Sequence, residues 1–265
     1  MKLLFIGDIV ARPGRDLVRS RLPAIVRRHS IDVVLANGEN AAGGAGITRE
    51  ITNDLLKAGI HVLTSGNHIW DKREVVEFIA DEPRLLRPAN YPRGTPGSGS
   101  VVWRTDNGVG VGVINVLGRI FMAPVDNPFE IVKHQIACVR EAGATVIFVD
   151  FHAEATSEKL AMGWYLDGEV TAVIGTHTHV QTADERLLPG GTAYLTDVGM
   201  TGPHDGVIGM ERTGAIARFT SALPSRFDAA TGDPRLHGVI ITADPVTGRA
   251  SGIERLIVSA SELES

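Results

Sequence analysis

The chain has 265 residues, of which 43% are apolar and 22% are charged, which is typical of a globular protein with a substantial buried core. Its net charge of −5 argues against broad nonspecific binding to nucleic acid, which needs dense lysine and arginine. No apolar run approaches the ~18 residues of a membrane span. Because Cys138 is the only cysteine, an intrachain disulfide and a zinc–thiolate cluster are excluded, and we expect a cytoplasmic location.

Short apolar runs that end in Gly, Asn or Asp alternate with segments of helical periodicity. The predicted strands are residues 2–7, 31–36, 60–65, 145–151, 172–176 and 193–196. The predicted helices are residues 15–29, 48–58, 71–80, 129–142 and 157–168, with Thr48 and Thr156 as N-caps of the second and the last. This alternation predicts a layered α/β fold. No linker or repeat divides the chain, so we expect a single domain over residues 1–265.

Two segments interrupt this alternation and predict hairpins. Residues 99–117 contain two apolar runs joined through Asn107-Gly108, a dipeptide that favours a tight hairpin turn. Residues 237–258 repeat the pattern, with a turn over residues 244–248. The hairpins indicate mixed sheets, or two packed sheets, and not a purely parallel sheet.

Five of the apolar runs are followed at once by acidic, amide or imidazole side chains, which is where open α/β sheets assemble binding sites. The residues concerned are Asp8, Glu39, Asn40, Asn67, His68, His152, His177 and His179. Each one alone has an ordinary explanation, such as a turn residue, a helix cap or a packed core histidine. Their repetition at five strand ends indicates a metal centre.

The candidate ligands offer carboxylate oxygen, amide oxygen and imidazole nitrogen, with no thiolate. This mixture is too rich in nitrogen for a pure Mg²⁺ or Ca²⁺ site and suits manganese, iron or zinc. The candidate ligands are seven of the eight residues, all except His68, and seven ligands are too many for one tetrahedral ion. They suit two ions ~3.5–4 Å apart, an arrangement that holds the attacking and leaving oxygens of an in-line displacement.

The order of these motifs resembles that of the calcineurin-like metallophosphoesterases. The resemblance covers about residues 2–200 and rests on Asp8, Glu39, Gly66-Asn67-His68, His152 and Gly175-x-His177-x-His179. It implies an α/β/β/α sandwich of two mixed sheets flanked by helices.

Two departures from that family pattern point to one branch of the family. The usual Asp-x-His is Asp8-Ile9-Val10 here, and the usual bridging aspartate is Glu39, followed by Asn40. With the segments 7–15, 67–72 and 196–203, this variant looks like the YmdB-like branch of bacterial cyclic-nucleotide phosphodiesterases.

The resemblance implies a role for each candidate residue. Asp8, Asn40 and His179 would hold the first ion, Asn67, His152 and His177 would hold the second, and Glu39 would bridge them. Iron or manganese is expected, with zinc as an alternative. A hydroxide shared by the ions would attack phosphorus, and His68 would protonate the leaving alkoxide, with Asp71 as a candidate to orient it.

The implied activity is hydrolysis of small phosphodiesters, in particular 2′,3′- or 3′,5′-cyclic nucleotides. Two alternatives stay open: a phosphomonoesterase or phosphoprotein phosphatase, and a metal-binding regulatory or RNA-associated module with little catalysis. We expect a small phosphodiester as the partner and no stable binding to nucleic acid or membranes. Homo-oligomerisation is left open.

The remaining histidines, the tryptophans and the cysteine have weaker signals. His204 and Asp205, in a glycine-rich loop, are candidates to line a substrate pocket. We expect surface or structural roles for His29, His61, His134 and His237, core positions for Trp70, Trp103 and Trp164, and a buried Cys138.

Overall fold

The computed structural model describes residues 1–223 and 227–260, which form thirteen strands and six α-helices. The strands are β1 (Lys2–Ile6), β2 (Asp8–Ile9), β3 (Val33–Asn37), β4 (Val62–Thr64), β5 (Ser100–Arg104), β6 (Gly110–Leu117), β7 (Val146–His152), β8 (Ala172–Thr176), β9 (Arg186–Leu187), β10 (Ala193–Leu195), β11 (Met200–Pro203), β12 (Pro234–Ala243) and β13 (Ala250–Ser259). The helices are α1 (Ala11–His29), α2 (Arg49–Lys57), α3 (Val75–Phe78), α4 (Pro128–Glu141), α5 (Thr156–Tyr165) and α6 (Arg212–Ser221).

The strands form two mixed sheets, as expected. The first has the order β2-β11-β12-β1-β3-β4, with β13 paired to β12, and the second has the order β5-β6-β7-β8-β10-β9. In the first sheet β1, β3 and β4 are parallel. In the second sheet β6, β7, β8 and β10 are parallel. Both predicted hairpins are confirmed, as the antiparallel pairs β5–β6 and β12–β13.

Alternate residues of each buried strand pack into different layers, because successive side chains point to opposite faces of a sheet. On β1, Leu3 and Phe5 lie in the core between the sheets, where the Phe5 and Phe148 rings are 4.8 Å apart. Leu4 and Ile6 pack instead with Leu22 of α1 and its neighbours. On the outer face of the second sheet, residues of β6 and β7 pack with α4 and α5. The α/β/β/α sandwich is therefore confirmed, and the assignment of one domain stays a prediction.

The core strands and the longer helices follow the predicted pattern, with ends shifted by a few residues. Helix α2 begins after Thr48, whose hydroxyl accepts the Ile51 amide hydrogen bond, as expected. None of the helices in the described part of the chain has the length and apolar character needed to cross a bilayer.

Several local predictions are wrong. Helix α1 begins at Ala11, not at residue 15, and residues 71–80 form only the short helix α3 and a 3₁₀ turn over Ile79–Asp81. Thr156 is the first residue of α5 and not its cap, a position that Ala155 holds. Cys138 and Trp164 are exposed, because both lie on helix faces turned away from the sheets. The short strands β2, β9 and β11 and helix α6 were not predicted.

Gly175 shows how closely the strands approach beneath the site. A Cβ at this position would lie 1.8 Å from the Thr196 carbonyl oxygen of the neighbouring chain segment. We therefore expect Gly175→Ala to lower the free energy of unfolding, measured by urea denaturation, by about 3 kcal/mol. Gly252→Ala is the control, since its Cβ would meet Thr242 at an ordinary 3.6 Å, and we expect a change within ~1 kcal/mol. Equal stability of the two variants would contradict the close approach.

Candidate metal centre

All five predicted turns lie at the carboxyl ends of strands, and the structure brings their side chains together. Asp8 follows β1, Glu39 and Asn40 follow β3, Asn67 and His68 follow β4, His152 ends β7, and His177 and His179 follow β8. Asp8 and His152 are fully buried, and Glu39, Asn40 and His179 are at least nine-tenths buried. The parallel strands of both sheets therefore point their ends at one place.

A first cluster surrounds the Nε2 atom of His152. This nitrogen lies 3.0 Å from each of three atoms, namely Glu39 Oε1, Asn67 Oδ1 and His177 Nδ1. One ring nitrogen carries at most one proton, so it cannot donate hydrogen bonds to all three. Four possible metal-ligand atoms therefore face one another, which is the arrangement expected of ligands to a common cation.

A second cluster contains Asp8, Asn40 and His179. His179 Nε2 lies 3.1 Å from the side-chain amide of Asn40 and 3.8 Å from Asp8 Oδ1. A 180° rotation of the Asn40 amide group exchanges its oxygen and its nitrogen, so the oxygen can face the cluster instead. Asp8 Oδ1 is buried and accepts no hydrogen bond from any described residue. A buried carboxylate oxygen without a partner is costly, and a cation would satisfy it.

Hydrogen bonds behind the clusters fix the tautomers of the histidines. His179 Nδ1 donates to the Ile208 carbonyl at 2.9 Å, because a carbonyl can only accept. His152 Nδ1 lies 2.9 Å from the Thr176 hydroxyl, which in turn donates to Asp150 at 2.7 Å. In both rings Nε2 is left to face the cluster. Such outer partners are usual around metal-binding histidines.

The buried carboxylates and imidazoles of the site shift one another's pKa values. Burial alone raises the pKa of Glu39, but the charge and hydrogen bond of His152 outweigh it and lower that pKa to about 2. Burial alone lowers the pKa of His152, but Glu39 outweighs it and raises that pKa to about 9. Burial, and then the charge of His152, lower the pKa of His177 to about 3. A proton held between Glu39 and His152 is one that a metal cation would displace.

A buried ion pair supports the turn that carries His177 and His179. Lys159 Nζ donates to Asp197 Oδ2 at 2.6 Å and to the Thr176 carbonyl at 2.8 Å. The same Asp197 oxygen accepts the Thr178 amide hydrogen at 3.1 Å. His177 and His179 have φ values of 100° and 66°, a backbone region that costs a side-chain-bearing residue about 1–3 kcal/mol and persists only where its surroundings impose it.

His68 lies at the rim of the same site, at a cavity of about 280 Å³ that Glu39, His177 and His179 also line. Its backbone N–H donates to Glu39 Oε2 at 2.9 Å, and its Nδ1 lies 2.8 Å from Asp71 Oδ2. Since a carboxylate accepts, Nδ1 carries the proton in this pair. Asp71 thus orients the ring, and Nε2 stays available to exchange a proton with a ligand.

Comparison with known proteins agrees with this geometry. The model of the YmdB-like protein family matches residues 4–256. The chain belongs to the YmdB-like family. It is 51% identical over 259 residues, 98% of the chain and 97% of the relative, to the 2′,3′-cyclic-nucleotide 2′-phosphodiesterase of Bacillus subtilis (strain 168).

Solved structures share the fold of this chain. A protein from Thermus thermophilus is 43% identical, with a TM-score of 0.91 and coverage of 98% of this chain and 99% of that one. A phosphatase from Mycoplasma pneumoniae is 32% identical, also with a TM-score of 0.91, over 98% of this chain and 93% of that one. A 5′-nucleotidase precursor from Thermus thermophilus, 13% identical with a TM-score of 0.56, covers 98% of this chain and 54% of that one and shows the fold alone.

Sequence reasoning missed the residues that support the ligands. Lys159, Asp197, Thr176 and Asp150 are buried polar residues of strands, helices and turns. Lys159 and Asp150 belong to no motif, and Thr176 and Asp197 lie within segments used for the resemblance but were given no role. Glu154 was missed as well, although it lies 3.0 Å from His177 Nε2. Its position two residues after His152 was the one available signal.

Lys159→Met removes one partner of the buried ion pair and leaves Asp197 without its counter-charge. We expect the free energy of unfolding in urea to fall by about 3–5 kcal/mol. The control is Lys133→Met, which breaks the partly exposed pair with Glu169 and should cost less than ~1 kcal/mol. A Lys159 variant as stable as the Lys133 variant would show that the pair does not support the turn.

Proposed function

We propose that this protein hydrolyses small phosphodiesters, and specifically 2′,3′-cyclic nucleotides, at a centre of two metal ions. The observation that carries the proposal is the buried cluster in which His152 Nε2 lies 3.0 Å from three possible ligand atoms that one proton cannot satisfy. Beside it, the unpartnered Asp8 Oδ1 lies 3.8 Å from His179 Nε2. The relative from Bacillus subtilis, which is named for this activity and matches nearly the whole chain, supports the substrate class.

We assign one ion to each cluster. Asp8, Asn40 and His179 would hold one, Asn67, His152 and His177 would hold the other, and Glu39 would lie between them. Asp8 and Glu39 each use one oxygen to accept a backbone N–H, from His177 at 3.3 Å and from His68 at 2.9 Å. Their other oxygens are left for metal. The donor set of imidazole, amide and carboxylate suits iron or manganese best, and zinc next.

Different residues of the chain have different roles in cleaving a P–O bond. When bound, the ions supply Lewis acidity to the phosphoryl group and make hydroxide available near neutral pH. Asp8 and Glu39 contribute two negative charges, which leaves two divalent ions with a net positive charge that attracts the anionic diester. His68 Nε2 gives its proton to the leaving alkoxide, and Asp71 stabilises the charged ring through Nδ1. The products are a phosphomonoester and a freed hydroxyl.

The direct test compares phosphodiesters with phosphomonoesters. Protein stripped with EDTA and reloaded with manganese or iron should hydrolyse 2′,3′-cyclic nucleotides and bis-(p-nitrophenyl) phosphate at least tenfold faster than p-nitrophenyl phosphate. The stripped protein should be inactive. Faster hydrolysis of the monoester would favour a phosphomonoesterase, and inactivity of the reloaded protein on every ester would favour a metal-binding module with little catalysis.

His68→Ala removes the proposed general acid and should lower kcat for 2′,3′-cyclic nucleotides about 10²–10⁴-fold. The loss should be smaller for bis-(p-nitrophenyl) phosphate, because p-nitrophenolate leaves without a proton. Metal content, measured by elemental analysis, should stay at two ions per chain. His134→Ala, on the exposed face of α4, is the control and should keep full activity. An equal loss on both substrates would argue against proton donation.

Asn40→Ala removes an amide ligand from one cluster only. We expect elemental analysis to find close to one ion per chain in place of two, because the cluster around His152 keeps all of its donors. Asn53→Ala, an exposed position on α2, is the matched control and should keep both ions. Two ions in the Asn40 variant would contradict the assignment of this residue.

A further inference from the structure

A second cavity adjoins the metal centre and plays no part in the chemistry described so far. It has a volume of about 340 Å³ and shares His179 and Ile208 with the cavity over the metal ligands. This size falls within the ~300–1,000 Å³ of small-molecule sites. A ligand whose phosphate lies at the metal centre could therefore extend past Ile208 into this second cavity.

Three residues that line the second cavity carry buried polar atoms without hydrogen-bond partners. Gln181 Oε1, His204 Nε2 and both ring nitrogens of His237 accept or donate no hydrogen bond within the described ranges 1–223 and 227–260. His237 itself is only 8% exposed. Each unsatisfied buried polar group costs about 1–3 kcal/mol, so unpartnered polar atoms on three residues that line one cavity favour a polar ligand there.

These atoms are chiefly hydrogen-bond acceptors. The Gln181 amide nitrogen donates to the Val198 and Gly238 carbonyls, both at 3.1 Å, which leaves Oε1 to accept. His204 Nδ1 lies 3.0 Å from the Gly202 carbonyl and must donate to it, which leaves Nε2 to accept. Burial lowers the pKa of both rings, that of His237 to about 4, so His237 is neutral near pH 7 and offers one donor and one acceptor.

The rest of the second cavity is suited to a flat ring. Val180, Ile208 and Ile257 line it, and each is at least half exposed, which is unusual for large aliphatic residues gathered at one place. Arg235 and Arg255 also line it, paired with Asp233 at 2.6 Å and Glu185 at 2.8 Å. Two nearby guanidinium groups disfavour a metal cation there.

We propose that this second cavity binds the base of the cyclic-nucleotide substrate and selects bases that carry an exocyclic amino group. The aliphatic residues would contact the faces of the base, while Gln181, His204 and His237 would accept hydrogen bonds from its edge. Adenine, cytosine and guanine offer these acceptors an exocyclic amino group with two hydrogens, whereas uracil offers only its single N3–H. This inference rests on the proposed function for its substrate class.

The experiment measures base selectivity and binding separately. Steady-state kinetics on the manganese-loaded protein compare 2′,3′-cyclic adenosine and uridine monophosphates, and calorimetry measures binding of adenosine, which has no phosphate to contact metal. The variants are His204→Leu, His237→Leu and the acceptor-retaining His204→Gln, with His134→Leu as the control on exposed surface. His204 is only partly buried, so His204→Leu is the variant least expected to disturb folding.

We expect the wild type to prefer the adenosine substrate by about tenfold in kcat/KM, mostly through KM, which corresponds to ~1.4 kcal/mol. His204→Leu should reduce that preference to less than about threefold and weaken adenosine binding about tenfold, whereas His204→Gln and His134→Leu should keep both. The same loss in His237→Leu would support the proposal further.

Absence of a base preference in the wild type, or its persistence in His204→Leu, would overturn the proposal. An equal loss on both substrates together with loss of metal would also overturn it, since it would show a purely structural role. If the wild type hydrolyses no cyclic nucleotide, the proposed function fails, and adenosine binding alone then decides whether the second cavity takes a base.

Discussion

The rest of the structure depends on one electrostatic constraint. Oxygen and nitrogen atoms of buried side chains, which repel one another through their lone pairs, must be held close together. Asp8 and Glu39 meet it in the same way. Each is buried at a strand end, gives one oxygen to the backbone N–H of a site histidine and keeps the other toward a cluster. Each unpaired buried acceptor lowers the free energy of unfolding by about 1–3 kcal/mol. Packing elsewhere in the fold must offset this loss. The core between the two sheets, whose strands are buried on both faces, provides this stabilisation.

The site could be predicted from the sequence because its donors coincide with the most regular feature of the fold. Parallel strands covered on both faces must be continuous apolar runs, and the polar residue that ends each run lies at the same edge of the sheet. Five such ends provided the donor set and its chemistry. The structure brings the residues together, while their roles as ligands stay predictions until metal is measured.

What the sequence did not reveal depends on contacts between distant segments. Lys159 lies on a helix and Asp197 in a loop, and nothing in either segment shows that they meet beneath the turn of His177 and His179. The strands β2 and β9 have two residues each, too few for any periodicity. Helix α1 begins at Ala11 with φ of 53°, a start that no capping residue marks. The predictions for the exposed cysteine and tryptophan failed because apolar character does not guarantee burial, and helix faces also carry such residues to solvent.

Ile208 connects the metal centre to the second cavity. Its φ of 47° is rare for a β-branched residue and carries strain. The backbone carbonyl held in this conformation accepts the proton of His179 Nδ1 and so sets which nitrogen faces the metal cluster. The same residue lines both cavities. A ligand that moved Ile208 would therefore also alter the hydrogen bond behind a proposed metal ligand. Occupation of the second cavity and the hydrogen bond that orients the His179 ring therefore both depend on this one strained residue.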